Sequence, residues 1–529
     1  MRAAVREWIA GDPDPQSRAE LAASSPTELA ERFAAPLAFG TAGLRGPLRA
    51  GPSGMNIAVV VRTTAGLVAW LQERCLGGGT VVVGRDARHG SEAFATAAAE
   101  VLGAAGFDVV FLPRPLPTPI VAFAVRHLGA VAGVQITASH NPATDNGYKV
   151  YLSGGAQLIS PADREIEAAI ANVGPAVEVP RTPVAPTDDE LVDLYIQRIS
   201  VLPTSTERSL RIALTAMHGV GGDTCVAALR AAGFSDVHVV TSQFAPNADF
   251  PTAPFPNPEE PGTTDALLEL AAQIDADLAI ALDPDADRCA LGIRDADGWR
   301  MLRGDETGVL LGNHILDSAP ANSLVATTVV SSTLLEKIAA DRGARFARTL
   351  TGFKWLVRAG DGLVYAYEEA LGHCVDPEFV RDKDGISAAV VAADLAADLN
   401  ASARTLTDVL DDFAIQFGVH AGAQVSKRVD EPTTITTMME ALRSAPPTTL
   451  AGRAVTVVDH LTKRGQLRTD AVELIGDGIR VVVRPSGTEP KVKAYLEAVL
   501  PVGDRSNLPD ARARAESVLG ELRAFALQL

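Results

Sequence analysis

One arrangement of short β-rich runs occurs three times between about residues 55 and 400, and it restricts the fold more than any other feature of the chain. A first run reads TVVVGRD at Thr80–Asp86, LRIALTAMHG at Leu210–Gly219 and SLVATTVVSS at Ser323–Ser332. Each is followed by a helix-like segment, SEAFATAAAEVL, TCVAALRAA or TLLEKIAAD. A second run then reads FDVVFLP, SDVHVVT and RFARTLT, and a third reads VAGVQITASHNP, ADLAIALDPDADR and LVYAYEEALGH. β-Branched runs alternating with Ala/Leu-rich helical stretches predict α/β layering with largely parallel strands. A thrice-kept order predicts three related α/β domains with mixed sheets. The last hundred residues change rhythm and predict a smaller C-terminal α+β domain. Breaks are expected near Pro203-Thr204-Ser205, within Asn313–Pro320 and between Gly418 and Pro432, which gives domains at 1–204, 205–314, 315–428 and 429–529. In open α/β sheets ligands bind at the carboxyl ends of strands. The three third runs end in TASHNP, DPDADR and EEALGH, so the domains are expected to surround a central cleft.

Composition supports this and removes other classes. At roughly 150 residues per domain, 529 residues give three or four domains. The chain carries 47 Lys+Arg against 65 Asp+Glu, a net charge of −18. Nucleic-acid and anionic-membrane binders need a positive surplus, so neither partner is expected. A small anionic ligand is compatible, provided that positive groups are concentrated locally. Cys75, Cys225, Cys289 and Cys374 form no CxxC pair and no zinc spacing, which points to a reducing compartment. The segment MRAAVREWIAGDPDPQ has no apolar signal-peptide core, and no run approaches 18 apolar residues. The expectation is a soluble, cytoplasmic protein.

Two loops carry most of the chemistry. LAIALDPDADR places Asp283, Asp285 and Asp287 at i, i+2 and i+4 directly after a buried-strand pattern. Three hard oxygen donors so close together repel one another and suit Mg²⁺. The competing structural reading is a solvated acidic turn with Arg288 as its partner. An EF-hand would need Gly where Arg288 stands. A phosphatase with Asp283 as nucleophile and Asp285 as acid/base shares the D-x-D spelling but leaves Asp287 without a role. In the second loop, Thr137-Ala138-Ser139-His140-Asn141-Pro142 ends a strand, and Pro142 blocks a simple helical continuation. Ser139 is a nucleophile candidate beside His140, with Lys149 ten residues on. A Ser-His dipeptide alone is more often a turn.

TASHNP with NGYK downstream, DPDADR, EEALGH and RPSGTEP occur in this order at domain-sized intervals, joined by FGTAGLRG at Phe39–Gly46 and LTGFKW at Leu350–Trp355. Together they resemble the α-D-phosphohexomutase superfamily, the phosphoglucomutase/phosphomannomutase enzymes. The resemblance covers nearly the whole chain and implies four domains around a cleft. It also implies that Ser139 is carried as phosphoserine, and that Asp283, Asp285 and Asp287 hold Mg²⁺, which also touches the serine phosphate. The usual spelling DGDADR becomes DPDADR here, so Pro284 changes backbone freedom but no ligand. The resemblance makes Glu368-Glu369-Ala370-Leu371-Gly372-His373 the sugar-reading loop, with Ala370 where a serine is often found. This spelling is similar to the branch with phosphopentomutase-like and bisphosphate-handling members. The resemblance makes Arg288, Thr351, Gly352, Glu368, Ala370, His373 and Lys383 substrate-binding, His373 having an equally good reading as a structural histidine. Arg484, Ser486, Gly487, Thr488 and Lys493 would bind phosphate. Lys149 and His140 are the acid/base candidates, with Arg45 positioning the phosphoserine. Gly84–Arg88 is similar to the family's G-x-D-x-R turn, read as structural or as ligand contact.

The implied activity is a Mg²⁺-dependent mutase, an intramolecular phosphotransferase. It would interconvert the 1- and 6-phosphates of glucose or mannose through phosphoserine and a bisphosphate, with a sugar bisphosphate such as glucose 1,6-bisphosphate as activator. The alternatives are a phosphopentomutase acting on ribose or deoxyribose phosphates, an aspartate-nucleophile sugar phosphatase, and a non-catalytic mutase-like scaffold. The expected partners are small sugar phosphates, and the expected assembly is a monomer or homodimer.

Overall fold

The computed structural model describes residues 2–429, 432–486 and 491–529. The chain forms two compact units, one comprising 1–303 and 370–402, the other 304–369 and 403–529.

The first unit contains two mixed sheets. In the first, β1 (Leu44–Pro47), β5 (Asp145–Leu152), β4 (Ala132–Ile136), β2 (Thr80–Arg85) and β3 (Asp108–Phe111) lie in that order, with β6 (Ala156–Gln157) beside β5. The second runs β11 (Gly298–Met301), β10 (Cys289–Asp295), β9 (Leu278–Leu282), β7 (Ile212–Thr215) and β8 (Val237–Val239). The predicted triplets are visible as topology. The first strand of each set is central and parallel to the other two: β2 between β3 and β4, and β7 between β8 and β9. In both sheets the third strand then turns back into an antiparallel partner, β4 into β5 and β9 into β10. β4 and β9 are buried at every position. That explains their continuous apolar runs, since a strand covered on both faces shows no alternation.

In the second unit β12 (Leu324–Thr328) lies between β13 (Arg345–Thr349) and β14 (Leu363–Glu368), all parallel, which is the same triplet again. The C-terminal region is an antiparallel sheet in the order β16 (Val419–Arg428), β21 (Lys491–Leu500), β20 (Ile479–Pro485), β19 (Val472–Gly476), β18 (Arg453–Asp459) and β17 (Thr449–Leu450), covered by the helix Leu508–Gln528. β15 (Gly372–Cys374) and the helix Gly385–Ala401 belong to the first unit. That helix packs on the helix Gly222–Ala231 and on β9 and β10. It begins with Asp384 accepting the N–H groups of Ile386 and Ser387, an N-cap that pins its start. No single helix among the described residues is long and apolar enough to cross a membrane.

Candidate active site

Three loops leave the ends of the three third strands, and each turns on a non-glycine residue with left-handed backbone: Ser139 (φ 53°), Ala286 (φ 53°) and Leu371 (φ 64°). Such conformations cost L-residues energy and persist only where the surroundings enforce them. In the first unit, pieces from all three repeats converge on the Asp loop. Arg288 forms a β-bridge with Gly372, and the Cys289 N–H donates to the Leu371 carbonyl. The Gly385 N–H donates to the Ala286 carbonyl at 3.2 Å. A Cβ at Gly385 would lie 2.4 Å from the Arg288 carbonyl oxygen, so only glycine fits there. From another side Gly219 lies so close to Pro284 that a Cβ would meet its Cα and oxygen at 2.4 Å.

The carboxylates of Asp283, Asp285 and Asp287 are fully buried, each offering an oxygen within 4.8 Å of the others. Ser139 Oγ donates to Asp283 Oδ2 at 2.9 Å, and Asp283 Oδ1 accepts the Arg288 N–H at 3.1 Å. Lys149 Nζ donates to Asp285 Oδ2 at 2.6 Å and to Asp287 Oδ2 at 2.8 Å. Lys383 Nζ lies 3.1 Å from Asp287 Oδ2. The antiparallel pairing of β4 and β5 places Lys149 opposite Gln135. Burial and the neighbouring carboxylates of Asp285 and Asp287 push Asp283 well above the ordinary range. Burial works against the charge of Lys149, but Asp285 and Asp287 outweigh it and hold the ammonium protonated.

The residues fit a hard divalent cation. Asp285 Oδ1 and Asp287 Oδ1 are buried without any hydrogen-bond donor among the described residues. Buried acceptors left unpaired are costly, and crowded carboxylates more so. A cation in contact with those oxygens removes both penalties, and an all-carboxylate donor set suits Mg²⁺.

Around this centre, His140 Nδ1 lies 3.3 Å from Ser139 Oγ, and Arg45 Nη1 donates to Asn141 Oδ1 at 3.4 Å. Enclosure of the His140 ring, with Arg288 and Arg45 nearby, holds it well below its ordinary value and therefore neutral. Burial lowers Arg45, against the pull of Asp285 and Asp287, and its Nε is buried without a hydrogen-bond partner among the described residues. His373 is buried, and burial pushes it down to about 3, so its imidazole is neutral. Its carbonyl accepts the Asp384 N–H at 2.8 Å.

Arg45, Ser139, His140, Lys149, the three aspartates, Arg288, Ala370, His373 and Lys383 thus belong to the first unit. The second unit holds Thr351 and Gly352 in the turn after β13, Glu368 at the end of β14, and Arg484 and Lys493, which face each other in the β20–β21 register. Ser486 donates its N–H to the Lys491 carbonyl at 2.8 Å. Gly487 and Thr488 lie outside the described residues. Glu369 is tied down by the hydroxyls of Thr328 and Ser331 at 3.1 and 3.0 Å.

Residues that the motifs did not announce support the site. Thr118, at the start of the helix Thr118–His127, donates its hydroxyl to Asp285 Oδ2 and its N–H to the Asp285 carbonyl. Its signal was the run Pro117-Thr118-Pro119 at a strand-to-helix junction, where prolines mark a helix start. Asp382 accepts from the Tyr151 hydroxyl at 2.7 Å and from Gln157 at 2.9 Å, and so fixes the backbone beside Lys383.

Comparison with known proteins agrees with this picture. Four family models match in order: phosphoglucomutase/phosphomannomutase alpha/beta/alpha domain I at residues 36–176, domain II at 191–298, domain III at 303–415 and the C-terminal domain at 428–510. The chain is 41% identical over 454 residues to a "Probable phosphomannomutase" of Haemophilus influenzae, covering 84% of this chain and 93% of that protein. It is 35% identical over 430 residues to the phosphopentomutase of Mus musculus, covering 73% and 69%. Among solved structures, a phosphoglucomutase/phosphomannomutase family protein from Burkholderia thailandensis superposes with a TM-score of 0.69 at 20% identity. That superposition covers 92% of this chain and 97% of the other, a likeness of fold. With all four domain models matched in sequence order, this chain belongs to the phosphoglucomutase/phosphomannomutase family of phosphotransferase isomerases.

Proposed function

We propose that this protein is a Mg²⁺-dependent sugar-phosphate mutase that interconverts the 1- and 6-phosphates of glucose or mannose. Ser139 would carry the phosphoryl group. The observation that supports this best is the Ser139 hydroxyl donating to Asp283 inside a buried three-aspartate cluster, with Lys149 and Lys383 against the same carboxylates. Phosphoserine139 gives its phosphoryl group to a sugar hydroxyl: the bond from phosphorus to Ser139 Oγ breaks and a bond to the sugar oxygen forms. The product is a sugar bisphosphate. After it turns over, its other phosphoryl group returns to Ser139 Oγ. A sugar bisphosphate in solution would prime the serine by the same return step.

Asp283, Asp285 and Asp287 would hold the Mg²⁺, which when bound supplies positive charge against the transferred group. The chain's own groups do the rest. Arg45 presents a guanidinium, with one nitrogen lacking an acceptor among the described residues, to the serine loop. Each transfer requires a proton to leave the attacking hydroxyl and another to reach the leaving oxygen. His140 touches Ser139 Oγ, and the protonated Lys149 contacts the neighbouring carboxylates of Asp285 and Asp287, so these two would serve as acid and base. Arg288, Thr351, Gly352, Glu368, Ala370, His373 and Lys383 would contact the sugar. Arg484, Ser486, Gly487, Thr488 and Lys493 would bind the phosphate that is not transferred. A cytoplasmic location belongs to the same proposal and is supported by four cysteines without a disulfide.

A pentose 1-/5-phosphate substrate is the second reading. It is favoured by the likeness to the mouse phosphopentomutase and by Ala370, which removes a hydroxyl from the sugar loop. Peptide mass spectrometry should find phosphate on Ser139, and Ser139→Ala should abolish isomerisation of glucose, mannose and ribose 1-phosphates. A fully active alanine variant would sink the phosphoserine route. The ranking of kcat/KM across the three sugars decides between hexose and pentose.

A further inference from the structure

The Ser139 loop is built around a guanidinium from outside the motifs that carry the chemistry. Arg88 ends the turn after β2 and is 4% exposed. Its Nη2 donates to the carbonyls of Ser139 at 2.5 Å and Asn141 at 2.6 Å. Its Nη1 donates to those of Pro142 at 2.8 Å and Asp145 at 3.2 Å. Nε faces Asp86 Oδ2 at 3.3 Å, while Asp86 Oδ1 accepts the Arg88 N–H at 2.9 Å and the Ser91 hydroxyl. The guanidinium carbon lies 4.8 Å from the ring centroid of Phe250, a buried residue of the second repeat.

Residues 139–144 lie outside the sheet ladder, so their carbonyls need other donors, and buried carbonyls without them are costly. A planar fork of five N–H groups can serve several carbonyls from one point, which an ammonium cannot. The left-handed Ser139 is held at the apex of the same loop, a conformation that lasts only while its neighbours impose it. We propose that Arg88 is a positioning residue for phosphoryl transfer: by gathering four loop carbonyls it fixes the Ser139 hydroxyl against the Asp283 carboxylate. Phe250, stacked on the same cation, ties the loop to the domain that carries the aspartates. This role rests on Ser139 being the phosphoryl carrier. A positioning role touches kcat more than KM, because substrate contacts are unaltered while the reacting oxygen is misplaced.

The experiment uses the full chain with Arg88→Met, which keeps the stem and removes every donor, and with Arg88→Lys, which keeps the charge facing Asp86. With glucose 1-phosphate, the methionine variant should lose roughly 10²-fold in kcat with KM within about threefold of wild type. Its amides at 139–147 should lose protection from hydrogen exchange while those of β2 and β4 keep theirs. The lysine variant should recover about tenfold of the lost kcat. Wild-type kcat with wild-type loop protection in either folded variant overturns the proposal, and so does a raised KM at unchanged kcat, which would mark a ligand contact. If the methionine variant does not fold, the lysine variant decides by the same readouts. Full activity in Ser139→Ala would end the phosphoserine reading alone, since hydrogen exchange still reports whether Arg88 holds the loop.

Discussion

Asp285 is held at its side chain by two donors and at its main chain by a third. Lys149 and the Thr118 hydroxyl share Oδ2, and the Thr118 N–H takes the main-chain carbonyl. A hydroxyl that orients a metal-binding carboxylate typically governs metal affinity, because the unheld side chain spends its time in other rotamers. Thr118→Val keeps the shape and deletes that hydrogen bond. Titration calorimetry with Mn²⁺ should then show affinity reduced by about 10-fold or more. An unchanged dissociation constant would show that Lys149 alone orients Asp285. At this scale the sequence was informative where chemistry is local: three aspartates spaced by two are brought together as one buried carboxylate cluster. Thr118 and Arg88 were harder to read, because their partners lie 167 and about 50 residues away and no local spacing encodes the meeting.

The elements show why some of the architecture could be read in advance. A strand covered on both faces must be apolar throughout, so the triplets were visible as blocks, but in each sheet the first strand of the set lies between the second and the third, an order the chain does not spell. Less visible was how the turn after β12 is joined to the C-terminal sheet. Glu497 on β21 accepts from the hydroxyls of Ser332 and Thr333 and from His420 Nδ1 at 3.0 Å, while Arg480 on β20 donates to the carbonyls of Ser331 and Val329 and pairs with Glu473. Burial opposes the charge of Glu497, but His420, Ser332 and the Thr333 N–H outweigh it and hold the carboxyl down to about 2. In the unfolded chain the group titrates near 4.5, so between these values only the unfolded state binds the proton. The contribution is complete above about pH 4.5 and disappears as pH falls toward 2, a difference of about 3 kcal/mol. Glu497→Gln should therefore be less stable at pH 7 and show a shallower loss of melting temperature between pH 6 and pH 3. Parallel acid profiles for the two proteins would refute this assignment.

On the scale of the whole chain, family domains and compact units do not coincide. The third-domain model spans 303–415, yet 370–402 belongs with the first unit, carrying Lys383, Gly385 and the helix that packs on β9 and β10. Sequence periodicity could not show this, since it reports the pairing of neighbours along the chain and not the body on which a helix finally rests. Native-state hydrogen exchange in low denaturant offers a direct check. Amides of 386–399 should open together with those of β4 and β9, and separately from β12. Exchange in step with β12 would return the helix to the unit of its own repeat.

The split also sets an order of events during synthesis. When residue 303 has been made, the serine loop and all three aspartates exist, but Gly372, Lys383 and the Gly385 backbone that brace the Asp loop do not. They arrive about 70–80 residues later, which at 5–20 residues per second is roughly 4–16 s. Throughout that interval the nascent chain carries three crowded carboxylates with only part of their supporting wall. A divalent ion taken up early would relieve their mutual repulsion until the rest of the wall is made.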